Sequence, residues 1–356
     1  MPDPTQLARP VVLILDDYEG LLAKAPATVR LSHDAEVRIL DHPLSQVPDD
    51  QLRDVDAVVA LRERTRFDDA LLRRLPKLEL VLQTGTGANH IDAAAMSARG
   101  VAVALGQATV GLAAVPELTL GLMVAAMRHF PAAERARTGG RWPLLTGRTL
   151  RGRRLGVLGM GRLGSRVARL GQALGMDVVA WGRPGAGSGG AAHPARHSDD
   201  DIERLPLDAV LASSDVVSIH LKLTPESRGL LDATRLRSMR PGSVLINTAR
   251  GAIVDEAALV DVLTNGPLAA AGLDVFADEP LPAEHPLRRL PNVVFTPHVG
   301  WTVEEAFTEF AEIAADQFAA YRAAQLPRED LLDPDVTPAG RIGGIRSGEE
   351  RASHGR

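Results

Sequence analysis

The chain has no cysteine, which excludes disulfides, thiolate catalysis and cysteine-ligated zinc and leaves the redox compartment open. Lysine is nearly missing too: Lys24, Lys77 and Lys222 are the only ones, so arginine carries almost all the positive charge. There is no excess of positive charge. The formal net charge of −5 gives no general attraction to nucleic acid or to an anionic membrane. No uninterrupted apolar run is long enough to span a bilayer, and no secretory signal pattern is recognisable. The run from Val11 to Leu15 reads as a first strand. Cytoplasm is therefore the expected location. No internal repeat with a fixed solenoid period is present.

What is present is enough apolar sequence for two domains: 356 residues, 45% of them hydrophobic. The second half alternates short apolar runs with helical segments. Leu155–Leu158, Val178–Trp181, Val216–Ile219, Ser243–Ile246, Ala271–Val275 and Val293–Thr296 read as buried parallel strands. After the first of them comes Gly159-Met160-Gly161-Arg162-Leu163-Gly164, followed by the helix-like Ser165–Leu170. A Gly-x-Gly-x-x-Gly turn between strand and helix suits a dinucleotide. The first glycine allows the tight turn, the second lets backbone N–H groups approach a pyrophosphate, and the third lets helix and strand pack closely. The helix N-terminus then faces the anion.

In open α/β sheets, ligands sit outside the carboxyl ends of the strands. Arg250, Asp274, Glu279 and His298 all fall at or just beyond such ends, so one rim could collect them. Read singly, each has a plainer alternative. Arg250 could be a solvated or ion-paired arginine, Glu279 could cap a turn beside Pro280, and Asp274 could be an ordinary strand-end residue. His193 and His197 are spaced four apart, but Pro194 and the neighbouring glycines argue against a helix that would present them to a metal. No metal site is expected.

Together the motifs Leu155–Gly164, Asn247-Thr248-Ala249-Arg250-Gly251, Gly272–Phe276 with Asp278-Glu279-Pro280, and Thr296-Pro297-His298-Val299-Gly300 resemble the D-isomer-specific 2-hydroxyacid dehydrogenases. The resemblance runs from about Val11 to Leu332. In the first half, Thr84–Asp92 and Pro116–Thr119 are similar to the family's substrate-loop and linker-helix segments.

The resemblance implies an NAD(P)-dependent oxidoreductase interconverting a small 2-oxo acid and a D-2-hydroxy acid. A glyoxylate or hydroxypyruvate reductase is expected first, and a 3-phosphoglycerate dehydrogenase second. A formate dehydrogenase fits less well, because Glu279 stands where that branch has glutamine. The same fold also serves as a nucleotide-sensing transcriptional co-regulator, the non-enzyme alternative.

By that resemblance Arg250, Glu279 and His298 are catalytic. An imidazole titrates near neutrality and can pass a proton either way, a carboxylate beside it favours imidazolium, and a guanidinium fork holds a carboxylate and a developing oxyanion. Gly159, Gly161, Arg162, Leu163, Gly164, Thr248, Ala249 and Asp274 are expected at the cofactor, and Thr86, Gly87 and Arg250 at the substrate. Arg62-Glu63-Arg64-Thr65 either reaches the substrate or lies solvated. A homodimer is implied.

One position departs from the family pattern. An NAD site usually places an acid about 20 residues past the glycine loop, to bind the ribose 2′-hydroxyl. Here the second strand is followed by Gly182-Arg183-Pro184, and Asp177 precedes the strand rather than ending it. With the acid missing and Arg183 available to a 2′-phosphate, NADP is somewhat favoured over NAD.

The first half repeats the strand–helix alternation, with strands at Val11–Leu15, Glu36–Leu40, Ala57–Leu61, Glu79–Gln83 and Val101–Ala104. Two Rossmann-like parallel-sheet domains with a cleft between them are expected: a discontinuous substrate domain, 1–112 with 300–333, and a nucleotide-binding domain, 113–299. Pro116 suits the first turn of a linking helix. A return helix should start near Thr302, with Glu305 completing a capping box. Gly185–Gly190 and residues 334–356 read as flexible and disordered stretches, respectively.

Overall fold

The computed structural model describes residues 9–182, 202–336 and 342. The chain divides into two compact units, Met1–Val110 with Val303–Arg356, and Gly111–Thr302.

The first unit holds β1 (Val11–Ile14), β2 (Glu36–Ile39), β3 (Ala57–Ala60), β4 (Leu80–Gln83) and β5 (Ala102–Leu105), with helices α1 (Pro26–Asp34), α2 (Asp69–Arg74) and α3 (Ala93–Ala98). The strands form one parallel sheet in the order β2-β1-β3-β4-β5, a doubly wound arrangement. In β1, β3 and β4 every residue is buried. Sheets covered on both faces need such continuous apolar runs rather than alternation. Asp68 and Asp92 cap α2 and α3 by accepting the N–H groups of Leu71 and Ala95, each cap worth about 1 kcal/mol.

The second unit begins with α4 (Gly111–Met127) and α5 (Phe130–Thr138). It continues through β6 (Arg154–Leu158), α6 (Gly164–Ala173), β7 (Asp177–Trp181), β8 (Glu203–Arg204), α7 (Leu207–Ser213), β9 (Val216–Ile219), α8 (Ala233–Arg237), β10 (Val244–Asn247), α9 (Glu256–Thr264), β11 (Ala270–Leu273) and β12 (Val293–Phe295). All seven strands are parallel, in the order β12-β11-β10-β9-β6-β7-β8. The winding reverses between β6 and β9. In such sheets that switch point opens a crevice at the carboxyl ends. At the opposite end, Asp215 accepts the Arg154 N–H at 2.9 Å and pairs with Arg153 and Arg240, fixing the start of β9 beside β6.

The last helix, α10 (Glu304–Arg322), returns to the first unit. Phe307, Phe310 and Phe318 are buried there, each worth about 1.5–3 kcal/mol relative to exposure. The Tyr321 hydroxyl donates to Glu79 at 2.8 Å, and Gln317 donates to the Leu105 carbonyl at 3.0 Å.

Two local expectations are corrected, and one strand lies outside the expected set. The helix containing Pro116 starts five residues earlier, at Gly111, with the proline inside it. Proline removes only the one backbone bond to the Leu112 carbonyl, near the helix start, where the loss is small enough for the apolar flanks to carry the helix through. The capping box at Thr302 does not form. Val303 is the cap, and its hydrocarbon side chain can accept no N–H, while the Thr302 N–H that Glu305 would have accepted closes a turn onto Val299 O. Finally, β8 escapes a hydrophobicity reading because its two residues are both exposed and charged. The glycine-rich run 185–190, His193 and His197 lie outside the described residues, as does nearly all of the expected tail. No single helix among the described residues is long and apolar enough to cross a membrane.

Candidate active site

The glycine loop lies at the switch point. Gly159 has φ +98, and a Cβ there would stand 2.7 Å from His220 O, where the loop leaving β6 crosses the end of β9. A Cβ on Gly164 would come within 1.9 Å of Gly159 O, so α6 starts directly against the strand end. Gly161 is different: a Cβ there would meet no protein atom within 4 Å. Its bare backbone lies open beside the start of α6, whose dipole favours an anion. Arg162 is exposed and Leu163 is the residue before the helix. This cradle fits the pyrophosphate of a dinucleotide.

His220 forms its floor. Its Nε2 lies 2.8 Å from Ser218 Oγ, and burial pushes its pKa down to about 4, so the ring next to the loop is neutral at pH 7. The end of β7 also abuts the loop, since a Cβ on Gly182 would be 3.5 Å from Gly159 Cα. No acid among the described residues stands there. Asp177 is at the far end of β7, paired with Arg154 at 2.6 Å. Arg183 lies outside the described residues.

Further along the rim, β10 ends in a self-braced turn. Asn247 accepts the Ala249 N–H and donates to Arg250 O, both at 3.0 Å, while Thr248 Oγ1 lies 2.9 Å from Thr119 Oγ1 of α4 in a buried contact. Arg250 donates to Ala249 O at 2.7 Å, and its charge reaches Glu279. Glu279 bridges two elements: Oε1 accepts the Phe276 N–H at 2.9 Å, and Oε2 accepts from His298 Nδ1 at 2.6 Å. Burial works against its ionised form, but these hydrogen bonds and the nearby cations outweigh it and hold its carboxyl below the ordinary range.

His298 has a left-handed backbone, φ 55. Asp274, buried at the end of β11, holds the turn that carries it: Oδ1 accepts the Val299 N–H at 2.8 Å and the Thr296 hydroxyl at 2.5 Å, and Oδ2 accepts the Gly300 N–H at 2.9 Å. Burial nevertheless leaves the Asp274 carboxyl above its ordinary range. With Nδ1 tied to a carboxylate, His298 keeps Nε2 for proton exchange.

These features agree with what the chain is similar to. Residues 120–300 match the model of the D-isomer specific 2-hydroxyacid dehydrogenase, NAD binding domain. A glyoxylate reductase of Aeropyrum pernix is 37% identical over 299 residues, which is 80% of this chain and 84% of that protein. The chain belongs to the D-isomer specific 2-hydroxyacid dehydrogenase family. A D-3-phosphoglycerate dehydrogenase of Mycobacterium tuberculosis is 39% identical over 308 residues, 84% of this chain but 54% of that protein, so the chain spans about half the length of such relatives. Among solved structures, a phosphoglycerate oxidoreductase from Vibrio cholerae matches with a TM-score of 0.77 at 31% identity, covering 88% of this chain and 99% of that one.

In this family member the first unit has its own polar rim. Thr84 Oγ1 accepts the Arg62 N–H at 2.9 Å and donates to Ala60 O at 3.1 Å, tying the loop after β3 to the end of β4. Gln83 donates to Arg62 O and to Gly87 O. Thr86 is exposed and Gly87 half-buried. The segment Arg62–Thr65 lies on this rim, with Arg62 against Gly85 and Glu63 against Gly87.

The sequence motifs assign no role to Thr119 or Asn247, and they place His220 only beside a strand end, where it lies. Asn247 and Thr119 lie inside quoted motifs, but their bracing hydrogen bonds are long-range or turn-specific. For His220 the available signal was its place after β9.

Proposed function

We propose that this protein is an NAD(P)-dependent reductase of a small 2-oxo acid, producing the D-2-hydroxy acid. The observation that carries the reading is the 2.6 Å hydrogen bond between Glu279 and His298 Nδ1, beside Arg250 and at the strand ends next to a dinucleotide cradle.

Bound nicotinamide supplies the hydride. The protein's side chains do the rest. Arg250 holds the substrate carboxylate and carbonyl oxygen and offsets the charge that grows on that oxygen. His298 Nε2 delivers a proton to it, and Glu279 stabilises the imidazolium that precedes transfer. The glycines at 159, 161 and 164, with Arg162 and Leu163, bind the pyrophosphate. Thr248, Ala249 and Asp274 face the nicotinamide end, and Thr86 and Gly87 receive the substrate carboxylate through backbone N–H groups.

Gly182 in place of an acid, with Arg183 next, supports NADP over NAD. Arg183→Ala should weaken NADPH more than NADH, and equal loss for both would overturn that assignment. A homodimer is supported by the largely apolar α4 and by Trp142, which is fully exposed; light scattering of the purified protein checks it.

The deciding assay follows absorbance at 340 nm with NADH and NADPH separately, against glyoxylate, hydroxypyruvate, pyruvate, phenylpyruvate and 3-phosphohydroxypyruvate. Oxidation of either nucleotide is expected. Nucleotide binding without turnover would favour the sensing module, and turnover confined to 3-phosphohydroxypyruvate would favour the phosphoglycerate dehydrogenase suggested by the names of longer relatives.

A further inference from the structure

Residues 277–280, which include Glu279, are exposed between the buried Phe276 and Leu281. A surface turn of this kind has little apolar contact to hold it, so its hydrogen bonds decide where the Glu279 carboxylate points. One of them comes from a side chain outside the motifs. Glu256 opens α9, directly after Asp255, whose carboxylate caps the helix by accepting the Ala258 N–H at 3.0 Å. Glu256 Oε2 accepts the Ala277 N–H at 3.1 Å.

The other oxygen of Glu256 is engaged as well. His285 Nε2 lies 3.1 Å from Glu256 Oε1, with only 17% of the Glu256 side chain exposed. On the far side of that ring, Nδ1 accepts the Leu287 N–H at 3.3 Å, at the head of the single helical turn Pro286–Arg288. A nitrogen that accepts carries no proton, so in this arrangement the ring proton sits on Nε2 and faces the carboxylate. Glu256 is thus held between the start of α9, whose dipole favours an anion there, and a histidine of fixed tautomer.

Two consecutive N–H groups in the turn are therefore bound to carboxylates. The Phe276 N–H donates to Glu279 Oε1 at 2.9 Å and the Ala277 N–H to Glu256 Oε2. Both peptide planes that flank Phe276 are fixed, and with them the path of the chain into Glu279, whose Oε2 accepts from His298 Nδ1. We infer that Glu256, steadied by His285, is a positioning residue: it acts through the Phe276–Ala277 peptide to keep Glu279 on the histidine. This rests on the reductase reading of Arg250, Glu279 and His298.

The test compares the full-length protein with Glu256→Ala, Glu256→Gln and His285→Ala, with thermal melting to confirm folding. Because Ala277 is exposed, water can replace the lost acceptor, and Glu256→Ala should still fold. It should lower kcat/KM for 2-oxo acid reduction by about tenfold, with nucleotide affinity within about twofold of wild type. The alkaline limb of its kcat/KM profile should begin about one pH unit lower, since a displaced Glu279 no longer favours imidazolium. Glu256→Gln, which retains an acceptor for the Ala277 N–H, should recover most of the loss, and His285→Ala should show a smaller shift in the same direction. The proton on His298 Nδ1, followed by NMR and assigned by its disappearance in His298→Gln, should broaden or move in Glu256→Ala. A folded Glu256→Ala with an unmoved alkaline limb or an unmoved resonance would overturn the inference, as would an equal loss of nucleotide affinity. Should Glu256→Ala not fold, the same two readouts in His285→Ala decide. If the wild type turned over no 2-oxo acid, the reductase reading alone would fall, because the resonance still reports whether Glu256 keeps Glu279 on His298.

Discussion

A Cβ on Gly251 would lie 1.9 Å from the carbonyl carbon of Phe276. The loop carrying Arg250 therefore touches, backbone to backbone, the segment whose Phe276 N–H holds Glu279. Neither side of this contact is a flexible side chain that could swing away. Gly251→Ala should cost about 2 kcal/mol or more through overpacking and should separate Arg250 from Glu279. Urea unfolding and kcat measured together check this; a variant with wild-type stability and turnover would show that the close approach is dispensable.

His298→Gln should lower kcat by about 100- to 10,000-fold, the usual scale for losing a general acid. Nucleotide affinity, followed by NADPH fluorescence, should change by less than about twofold, since His298 holds the proton rather than the cofactor. Parallel losses of binding and turnover would assign the residue to structure.

Arg250→Lys preserves charge but removes the planar fork. A drop of about 100-fold in kcat/KM is expected. Near-normal kinetics with a 2-oxo acid would show that a point charge suffices.

Asp274→Ala strips the acceptors from the Val299 and Gly300 N–H groups and from the Thr296 hydroxyl. Leaving such groups unsatisfied costs about 1–3 kcal/mol each, so a marked fall in the unfolding midpoint is expected, accompanied by lower kcat as the left-handed turn at His298 relaxes. Asp274→Asn keeps one acceptor and should fall between wild type and alanine. An alanine variant as stable as wild type would mean that water replaces the carboxylate.

Stability should depend on pH through His220. Its folded pKa is held at about 4 by burial, whereas a free imidazole titrates near ~6.5. Between these values the unfolded chain binds a proton that the folded chain does not, so stability declines as pH falls from ~6.5 toward 4. Glu279, whose carboxyl is held low, adds a loss only below the ordinary carboxylate range, and Asp274, raised by burial, acts in the opposite sense. The gap between unfolding free energies at pH 7 and pH 5 should thus narrow in His220→Gln, His90, also lowered by burial, keeping part of it; an unchanged difference would place the acid sensitivity elsewhere.

The sequence alone carried the strands and their order along the chain. Runs such as Val216–Ile219 are apolar at every position because a parallel sheet is covered on both faces, and that demand is local. The turn chemistry was equally local: Gly159, Gly161 and Gly164 sit where strand, phosphate and helix must meet, and a left-handed or crowded backbone admits little else. Local reading failed where the deciding partner was remote. The two charged residues of β8 become a strand only because β7 offers an open edge, and Thr302 loses its capping role to a turn bond with Val299.

Arg250, Glu279 and His298 could be named from their motifs, but not their joining. That depended on Gly251 meeting Phe276 and on Asp274 gathering the N–H groups of Val299 and Gly300, contacts between strand ends that are distant in sequence. Likewise Glu63 read equally well as a solvated charge until the fold set it against Gly87. Composition and periodicity determine which segments are buried, because burial acts on each residue's own chemistry. Which polar groups meet at the rim is decided by strand order and close backbone approach, and these exist only once the sheets have assembled.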